Sequence, residues 1–276
     1  MTTPAFEPLR ASDATLAYDG RVISHQLDVG IPEASFTVIV GPNACGKSTL
    51  LRGLARLLRP RSGQVLLYGR DIHSLHTKEV ARRVGLLPQT SIAPDGITVA
   101  DLVTRGRHPH QSAFQQWSKA DEAAVVAAME ATQVAALSDR RVDELSGGQR
   151  QRVWVAMALA QETGLLLLDE PTTFLDIAYQ YELLELFRRL NEGGRTIVAV
   201  LHDLNQASRY ASHVIAMSEG RIAAEGPPTD VITADLVNDV FGLPAHVFPD
   251  PVSGTPLVVP LGAPGEVFRD HPSTTS

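Results

Sequence analysis

Several residue types are scarce in this chain of 276 residues, and each scarcity narrows what the protein can be. Cys45 is the single cysteine, so no intrachain disulfide can form, and this fits a reducing compartment such as the cytoplasm. No uninterrupted apolar run approaches the roughly 20 residues that span a bilayer. The first residues also lack a basic segment followed by an apolar one. We therefore expect neither a membrane span nor a secretory signal.

Positive charge is limited as well, because the formal net charge is -7 at pH 7. A broad nucleic-acid surface needs a clear excess of basic residues, so we expect no nucleic-acid partner. Lysine is confined to Lys47, Lys78 and Lys119. The composition is otherwise that of a globular protein, 44% hydrophobic and 20% charged, which suffices for one large domain or two lobes.

What the chain does contain is a glycine-rich loop between a buried-strand pattern and a helical pattern. Residues 41–48 read Gly-Pro-Asn-Ala-Cys-Gly-Lys-Ser, which fits Gly, four free residues and Gly-Lys-Ser/Thr. In this context, backbone amides and a helix N-terminus converge on the phosphates of a nucleoside triphosphate. We predict that Lys47 contacts the β- and γ-phosphates and that Ser48 holds Mg²⁺. A chance glycine turn is the alternative, and the correct flanks disfavour it.

The same loop contains the single cysteine. Cys45 should lie among backbone amides and beside Lys47, and both of these favour the thiolate form. We therefore expect a lowered pKa for the Cys45 thiol. Alkylation should then block ATP hydrolysis, and bound MgATP should protect the thiol.

Acidic residues follow an apolar strand pattern later in the chain. Residues 165–168 are leucines, and they lead into Asp169 and Glu170. Open α/β sheets bind ligands at the carboxyl ends of their strands. Asp169 is therefore predicted to hold Mg²⁺, and Glu170 to polarise a water molecule that attacks the γ-phosphate. His202 follows another strand pattern and is predicted to lie at the same sheet edge, although a plain loop histidine is the alternative.

Three weaker signals accompany these motifs. Ser146, Gly147 and Gly148 open a predicted helix and form a second candidate anion site, although an ordinary Ser N-cap explains the same residues. Tyr18 could stack on a purine ring or be a half-buried strand aromatic. The histidine pair in His-Pro-His at residues 108–110 has no acidic or cysteine cluster nearby, so we interpret it as a structured loop and not as a metal site.

The order of the patterns predicts an α/β fold with a helical insertion. Strand patterns, including a pair around a turn at Asp19–Gly20, dominate before residue 90 and return after residue 161. We predict a turn at Ser62–Gly63 and a helical lobe over about residues 91–161. The ATPase domain is expected to cover residues 1–245. Residues 246–276 are predicted to form a C-terminal extension with few helix signals and a mobile end.

With these motifs in this order, the chain resembles the ATPase subunits of ABC transporters over about residues 9–261. The resemblance implies a P-loop NTPase (RecA-like) core with an antiparallel β subdomain and an inserted α-helical subdomain. The family motifs that it matches are Walker A at residues 41–48, the Q-loop glutamine Gln89, the signature at 145–149, Walker B at 165–169, the catalytic glutamate Glu170, the D-loop at 174–176 and the switch histidine His202.

The resemblance also assigns roles to individual residues. Catalytic roles are implied for Glu170, His202, Gln89 and Lys47. Mg²⁺ ligation is implied for Ser48, Gln89 and Asp169. Contacts with ATP are implied for Tyr18, Gly41, Pro42, Asn43, Ala44, Cys45, Gly46, Lys47, Ser48, Thr49, Ser146, Gly147, Gly148 and Gln149. Ala44 and Cys45 stand where the family more often has glycine or serine, and both are small enough for nucleotide binding to survive.

Within the family, the chain looks most like the ATPases of ferric-siderophore importers of the enterobactin-type catecholate class. Segments 106–110, 169–177, 201–207 and 250–261 carry this likeness, but haem and cobalamin importers have similar ATPases. The resemblance implies a head-to-tail homodimer at the cytoplasmic face of the bacterial membrane. A transmembrane permease would dock on the helical subdomain, and a periplasmic or lipoprotein substrate-binding protein would deliver the cargo.

Two other classes of function are weighed against this one. An ABC-type ATPase that acts on DNA or ribosomes usually carries long coiled-coil insertions or two cassettes, and this acidic chain has neither. A P-loop kinase would share the phosphate loop, but the Ser-Gly-Gly signature argues against it.

Overall fold

The protein is described by a computed structural model that covers residues 6–18, 20–89, 92–111 and 117–261. The strands are β1 (Leu9–Tyr18), β2 (Arg21–Ile31), β3 (Phe36–Val40), β4 (Ser62–Leu67), β5 (Arg70–Asp71), β6 (Val84–Leu87), β7 (Leu165–Asp169), β8 (Thr196–Val200), β9 (His213–Ser218), β10 (Arg221–Gly226), β11 (Ala245–Pro249) and β12 (Pro256–Pro260). The helices are α1 (Lys47–Leu54), α2 (Thr77–Ala81), α3 (Val99–Thr104), α4 (Lys119–Ala131), α5 (Gly147–Ala160), α6 (Ile177–Glu192), α7 (Leu204–Tyr210), α8 (Pro228–Val231) and α9 (Ala234–Phe241).

The central sheet has the strand order β10-β9-β3-β8-β7-β6. Its strands run parallel except for the edge strand β10, which pairs antiparallel with β9. Every residue of β3, β7 and β8 is buried, as expected for parallel strands that are covered on both faces. Because these strands are parallel, their carboxyl ends meet at one edge of the sheet. The phosphate loop follows the end of β3, Asp169 is the last residue of β7, and Glu170 comes directly after it.

A second, antiparallel sheet has the order β2-β1-β4-β5. Its apolar face and one face of the central sheet enclose a common core around α1, to which Leu16, Leu50 and Ile215 contribute. The predicted strand pair around residues 19–20 is confirmed, with Asp19 itself outside the described residues. The predicted turn at Ser62–Gly63 is wrong, because β4 already begins there. Gly63 has a φ of 72° beside a register shift, so its turn signal marks a bulge within the sheet.

Helices α3, α4 and α5 lie between β6 and β7 in the chain and form the helical lobe. Thr98, Ser118 and Ser146 each accept a hydrogen bond from a backbone N–H in the first turn of the helix that follows. Apolar residues of α5 join those of α3, α4 and the central strands in the larger core cluster. This arrangement, with the two sheets, is the α/β fold with an antiparallel sheet and a helical insertion that the sequence predicted.

The C-terminal part of the described chain forms a hairpin of β11 and β12, whose outer strand packs against α7. Neither this hairpin nor α7 was predicted. Proline begins β12 and ends both strands, and α7 is only seven residues long, so their periodic signals are weak. The residues expected to be mobile, 269–276, lie outside the described ranges. Within those ranges, no helix combines the length and apolar character needed to cross a bilayer.

Candidate functional site

The phosphate loop joins the end of β3 to the start of α1 and requires glycine at two positions. Gly41 has a φ of 152° and Gly46 a φ of 108°, a backbone region that L-residues with side chains rarely adopt. A Cβ atom at Gly41 would lie 2.3 Å from the carbonyl oxygen of Met217. One at Gly46 would lie 2.9 Å from Oγ of Ser24. The loop is therefore packed against its neighbours and cannot be an unconstrained surface turn.

Lys47 is only 5% exposed and folds back over the loop. Its Nζ donates hydrogen bonds of 2.8 Å to the carbonyl oxygens of Gly41 and Pro42. Within the described residues, no ion pair links this ammonium group to a carboxylate. A cavity of about 740 Å³ opens beside it, lined by Ile23, Asn43, Ala44, Gly46, Lys47, Ser48, Thr49, Gln89, Glu170 and His202. A buried cation without an anionic partner makes this cavity suited to phosphate groups.

Ser48 and Asp169 are far apart in sequence but meet at the sheet edge. Oγ of Ser48 donates a 2.8 Å hydrogen bond to Oδ1 of Asp169, whose side chain ends β7 and is almost fully buried. Burial raises the pKa of Asp169, Ser48 opposes the rise, and nearby Glu170 adds to it. A buried carboxylate next to a hydroxyl group is a donor set that suits Mg²⁺. Cation binding would also relieve the cost of keeping this carboxylate charged.

Glu170 and His202 form a second pair at the same edge. Nε2 of His202 lies 2.7 Å from Oε1 of Glu170, so the structure brings together two residues that the sequence placed at the ends of different strands. Glu170 has a φ of 53°, which turns the chain sharply at the end of β7 and directs its carboxylate into the cavity. Thr173 Oγ1 lies 3.4 Å from Oε2 of Glu170. The pair therefore stands next to the space beside Lys47.

Gln89 lies where the two lobes meet. It lines the cavity beside Lys47 and also a second groove of about 510 Å³. The other residues of that groove come from the start of α5 and the segment after Glu170: Gly147, Arg150, Gln151, Trp154, Thr173 and Phe174. A side chain in this position can respond both to a ligand in the cavity and to a shift of the helical lobe.

Comparison with known proteins decides the family. Residues 24–173 match the family model described as ABC transporter. The chain belongs to the ABC transporter family. It is similar to the ferric enterobactin transport ATP-binding protein FepC of Escherichia coli (strain K12), with 54% identity over 275 residues that cover 99% of each chain. It is also similar to the achromobactin transport ATP-binding protein CbrD of Dickeya dadantii (strain 3937), with 50% identity over 92% of this chain and 95% of the relative.

A solved structure supports the same conclusion for the fold. The dimeric structure of a bacterial ABC transporter cassette matches this chain with a TM-score of 0.72 and 25% identity. The match covers 79% of this chain and 98% of that cassette. The protein is thus an ATPase of the ABC family.

The signature residues of the ABC ATPase do not reach the cavity beside Lys47 within one chain. Ser146 caps α5, and its side chain and that of Gln149 exchange hydrogen bonds with each other's backbone N–H groups. The Ser N-cap interpretation is therefore confirmed as a local structure. Gly147 lines the interlobe groove and not the cavity beside Lys47. Tyr18 is also outside the lining of that cavity, and its hydroxyl accepts a 3.2 Å hydrogen bond from Arg52.

The expected lowering of the Cys45 pKa is wrong. The thiol is 6% exposed and belongs to the core that surrounds α1. Burial raises its pKa and outweighs the opposing effects of Lys47 and the backbone amides. The loop turns Cys45 inward against Gly41 and presents its neighbours to the cavity. Rapid alkylation of this thiol, with protection by nucleotide, is therefore no longer expected of the ABC ATPase.

The loop at residues 108–110 is structured, as predicted. Nε2 of His110 lies 2.8 Å from the carbonyl oxygen of Gln161, and Arg82 donates a 2.8 Å hydrogen bond to the carbonyl of Pro109. Among the described residues, no group of three His, Cys, Asp or Glu side chains is arranged to hold a metal ion.

Sequence reasoning missed several residues around the site. Ile23 lines the cavity, and its only signal was its place in an apolar strand pattern. Arg52, which holds the Tyr18 hydroxyl, lies one helical turn after Ser48 on α1, so its spacing could have suggested a position near the nucleotide. Asn205 and Gln206 follow His202 and make contacts outside the cavity, which are described below.

Proposed function

We propose that this ABC ATPase binds MgATP in the cavity beside Lys47 and uses its hydrolysis to drive the uptake of iron-siderophore complexes. The observation that carries the proposal is the meeting of three groups at one sheet edge: the buried Lys47 ammonium, which has no acidic partner over the described ranges, a Ser48–Asp169 pair and a Glu170–His202 pair. These are a phosphate-binding cation, a donor set for Mg²⁺ and a carboxylate that can accept a proton from water.

Each residue then has a distinct role in hydrolysis. Lys47 and the loop amides orient the β- and γ-phosphates. Ser48, Asp169 and Gln89 would hold Mg²⁺, which when bound would supply positive charge against the phosphate groups. Glu170 accepts the proton of the attacking water, and His202 moves from Glu170 to the γ-phosphate as ATP arrives. Tyr18, at the end of β1, would stack on the adenine ring.

The site is completed by a second copy of the chain. Ser146, Gly147, Gly148 and Gln149 lie outside the cavity of their own chain, so they are free to close the cavity of a partner in a head-to-tail homodimer. Lys47→Ala spoils one half of each site and Ser146→Arg spoils the other. Neither homodimer should occlude ATP, whereas a mixed dimer should contain one intact site and occlude about one ATP per dimer. A mixture that traps no more nucleotide than either variant alone would exclude sites formed between chains.

The cargo assignment rests on the relatives, which are named for transport of ferric enterobactin and achromobactin. This ABC ATPase would act at the cytoplasmic face of the bacterial membrane, with a permease on its helical lobe and a periplasmic or lipoprotein substrate-binding protein delivering the complex. Cells lacking the chain should fail to accumulate iron supplied as a catecholate siderophore, and wild-type protein but not Glu170→Gln should restore uptake. Normal iron uptake with a loss of haem or cobalamin uptake would reassign the cargo.

A further inference from the structure

The C-terminal hairpin is attached to α7 through one side-chain amide. The backbone N–H of Val258 donates a 2.7 Å hydrogen bond to Oδ1 of Asn205. Nδ2 of Asn205 donates a 3.3 Å bond to the carbonyl oxygen of the same Val258. The amide of Asn205 therefore pairs with β12 as a residue of a neighbouring strand would.

The strand register explains why Asn205 can do this. In an antiparallel pair, facing residues exchange either both backbone hydrogen bonds or neither. Val258 faces Val247 on β11, and both of its backbone polar groups point to Asn205 on the other side. The side chain of Val258 is buried in the same core cluster as Ala207 of α7. The hairpin is thus bound to α7 by packing as well as by hydrogen bonds.

Asn205 belongs to the helical turn that follows His202. Asp203 caps α7, because its Oδ1 accepts hydrogen bonds from the backbone N–H groups of Asn205 and Gln206 at 2.8 and 2.9 Å. Gln206 is buried, and its Nε2 donates a 2.8 Å bond to Oε1 of Gln180 on α6. The first turn of α7 is therefore held by the hairpin on one side and by α6 on the other.

Such support matters because α7 is short. A helix of seven residues has little stability of its own, so contacts with the rest of the protein decide where it starts. His202 stands between the end of β8 and this start, with its imidazole 47% exposed and 2.7 Å from Glu170. A shift of the first turn of α7 would move His202 with it.

We propose that the C-terminal hairpin is a positioning element for His202 and that Asn205 is the residue through which it acts. The hairpin sets the start of α7, and α7 sets the distance from the imidazole to Glu170 and to the γ-phosphate. This inference rests on the proposed function, because it requires His202 to act in hydrolysis. Asn205 does not touch the cavity and is a positioning residue.

A matched variant separates positioning from general stability. Asn191 also bridges backbone groups, since its Nδ2 donates 2.8 Å bonds to the carbonyls of Ala34 and Arg195. Those carbonyls precede β3 and β8, at the sheet edge opposite His202. Asn205→Ala and Asn191→Ala should lower Tm by similar amounts. Only Asn205→Ala should reduce kcat for ATP hydrolysis, by about tenfold, because small displacements of a catalytic group are costly. The KM for MgATP should stay within about twofold.

A second variant removes the hydrogen bond between Val258 and Asn205 by changing the hairpin residue. Val258→Pro removes the N–H that reaches Asn205, and proline is tolerated on the outer side of an edge strand. Because it also replaces a buried side chain, Val258→Ala is its packing control and should leave kcat near normal. Val258→Pro itself should lower kcat about as much as Asn205→Ala does. Combining Val258→Pro with Asn205→Ala should lower kcat little further, because both changes break the same hydrogen bond between the Val258 N–H and Asn205.

The His202→Ala background identifies the route of the effect. In that background, Asn205→Ala should not lower kcat any further if Asn205 acts through His202. If Asn205→Ala lowers kcat in the His202→Ala background by the same factor as in the wild-type protein, the inference is overturned. The same holds if Asn191→Ala lowers kcat as much as Asn205→Ala does. If His202→Ala hydrolyses ATP normally, the proposed role of His202 fails and the inference fails with it. If His202→Ala is impaired while Asn205→Ala and Val258→Pro are normal, the inference alone fails.

Discussion

Two buried cations in different lobes illustrate how the same burial can serve opposite purposes. Lys47 and Arg107 are each 5% exposed. Among the residues that the structure describes, Lys47 donates only to the neutral carbonyls of its own loop, at 2.8 Å. Arg107, in the helical lobe, donates 2.8 Å bonds to Asp121 and Glu162 and to the carbonyl of Ala160. A neutralised cation stabilises the structure around it, whereas an unpaired one retains a positive potential that an incoming phosphate can use.

A buried carboxylate in each lobe shows a matching difference in its pKa. Hydrogen bonds from Ser118 and Arg107 lower the pKa of Asp121 to about 2. Burial instead raises the pKa of Asp169, despite its hydrogen bond from Ser48. The charged form of Asp121 is therefore stabilised by folding, and the charged form of Asp169 is penalised by it. The Arg107–Asp121 pair is neutralised within the helical lobe, while the cavity beside Lys47 leaves both signs of charge available for a ligand.

The largest expected effect comes from comparing a glutamate in each region. Glu170 and Glu162 both have positive φ and both contact a basic side chain. Glu170→Gln should slow ATP hydrolysis by about 10²–10⁴-fold while MgATP still binds, because the proton acceptor is lost. Glu162→Gln keeps an oxygen for Arg107 and should leave hydrolysis near normal. Steady-state phosphate release and nucleotide titration measure both quantities, and near-normal turnover in Glu170→Gln would refute its role as base.

Replacing each buried cation by methionine tests the comparison directly. Arg107→Met should lower the free energy of unfolding by about 3–5 kcal/mol, because it leaves the buried Asp121 carboxylate without its partner. Urea unfolding monitored by circular dichroism measures this quantity. A loss below about 1 kcal/mol would mean that the helical lobe does not depend on the ion pair.

Lys47→Met should show the reverse pattern. Its two partners are neutral carbonyls of its own loop, so no buried charge is left unpaired and the unfolding free energy should change little. MgATP affinity should fall by about 1.5–3 kcal/mol, the usual worth of hydrogen bonds to a charged group. Titration with a fluorescent ATP analogue measures the affinity. A large loss of unfolding free energy with an unchanged MgATP affinity would contradict the roles that we assign to the two cations.

Acid should weaken the helical lobe through Asp121. Asp121 has a lower pKa in the folded state than in the unfolded chain, so its stabilising effect is complete above about pH 4 and is lost as pH falls toward about 2. The free energy of unfolding should decline through that window. The decline should be smaller in Asp121→Asn, which has no carboxylate to protonate there. Parallel profiles for the two proteins would contradict this account of Asp121.

The smallest effect is expected at Asp169 and has the opposite sign. Because folding raises the pKa of this carboxylate, its charged form destabilises the nucleotide-free protein as pH rises through the folded-state value. Asp169→Asn keeps the oxygen that accepts from Ser48 and should slightly raise the unfolding free energy at pH 7. The affinity for the Mg²⁺ that supports hydrolysis should weaken. If Asp169→Asn is less stable than the wild-type protein, the surrounding residues already compensate the charge of the Asp169 carboxylate.

Much of the site was predictable because its signals are local. The spacing of Gly41, Gly46 and Lys47 follows from loop geometry, and the strand that ends in Asp169 and Glu170 follows from hydrophobic patterning. The Cys45 pKa was mispredicted because its sign depends on how deeply the loop is buried. The hairpin of β11 and β12 was missed because its short, proline-bounded strands are stabilised by α7 and by each other. The assigned roles in catalysis remain predictions.

By itself, the sequence determined which residues could bind phosphate, hold Mg²⁺ and accept a proton, because those abilities belong to residue types at fixed spacing along one loop or strand. It also determined the family, since several independent motifs occur in the right order. Only the tertiary structure decided that Arg107 has two acidic partners while Lys47 has none in the described part of the chain, and that Asn205 binds the hairpin three residues after His202. Burial and pairing depend on segments that are distant in sequence, and no local pattern encodes the distance between them.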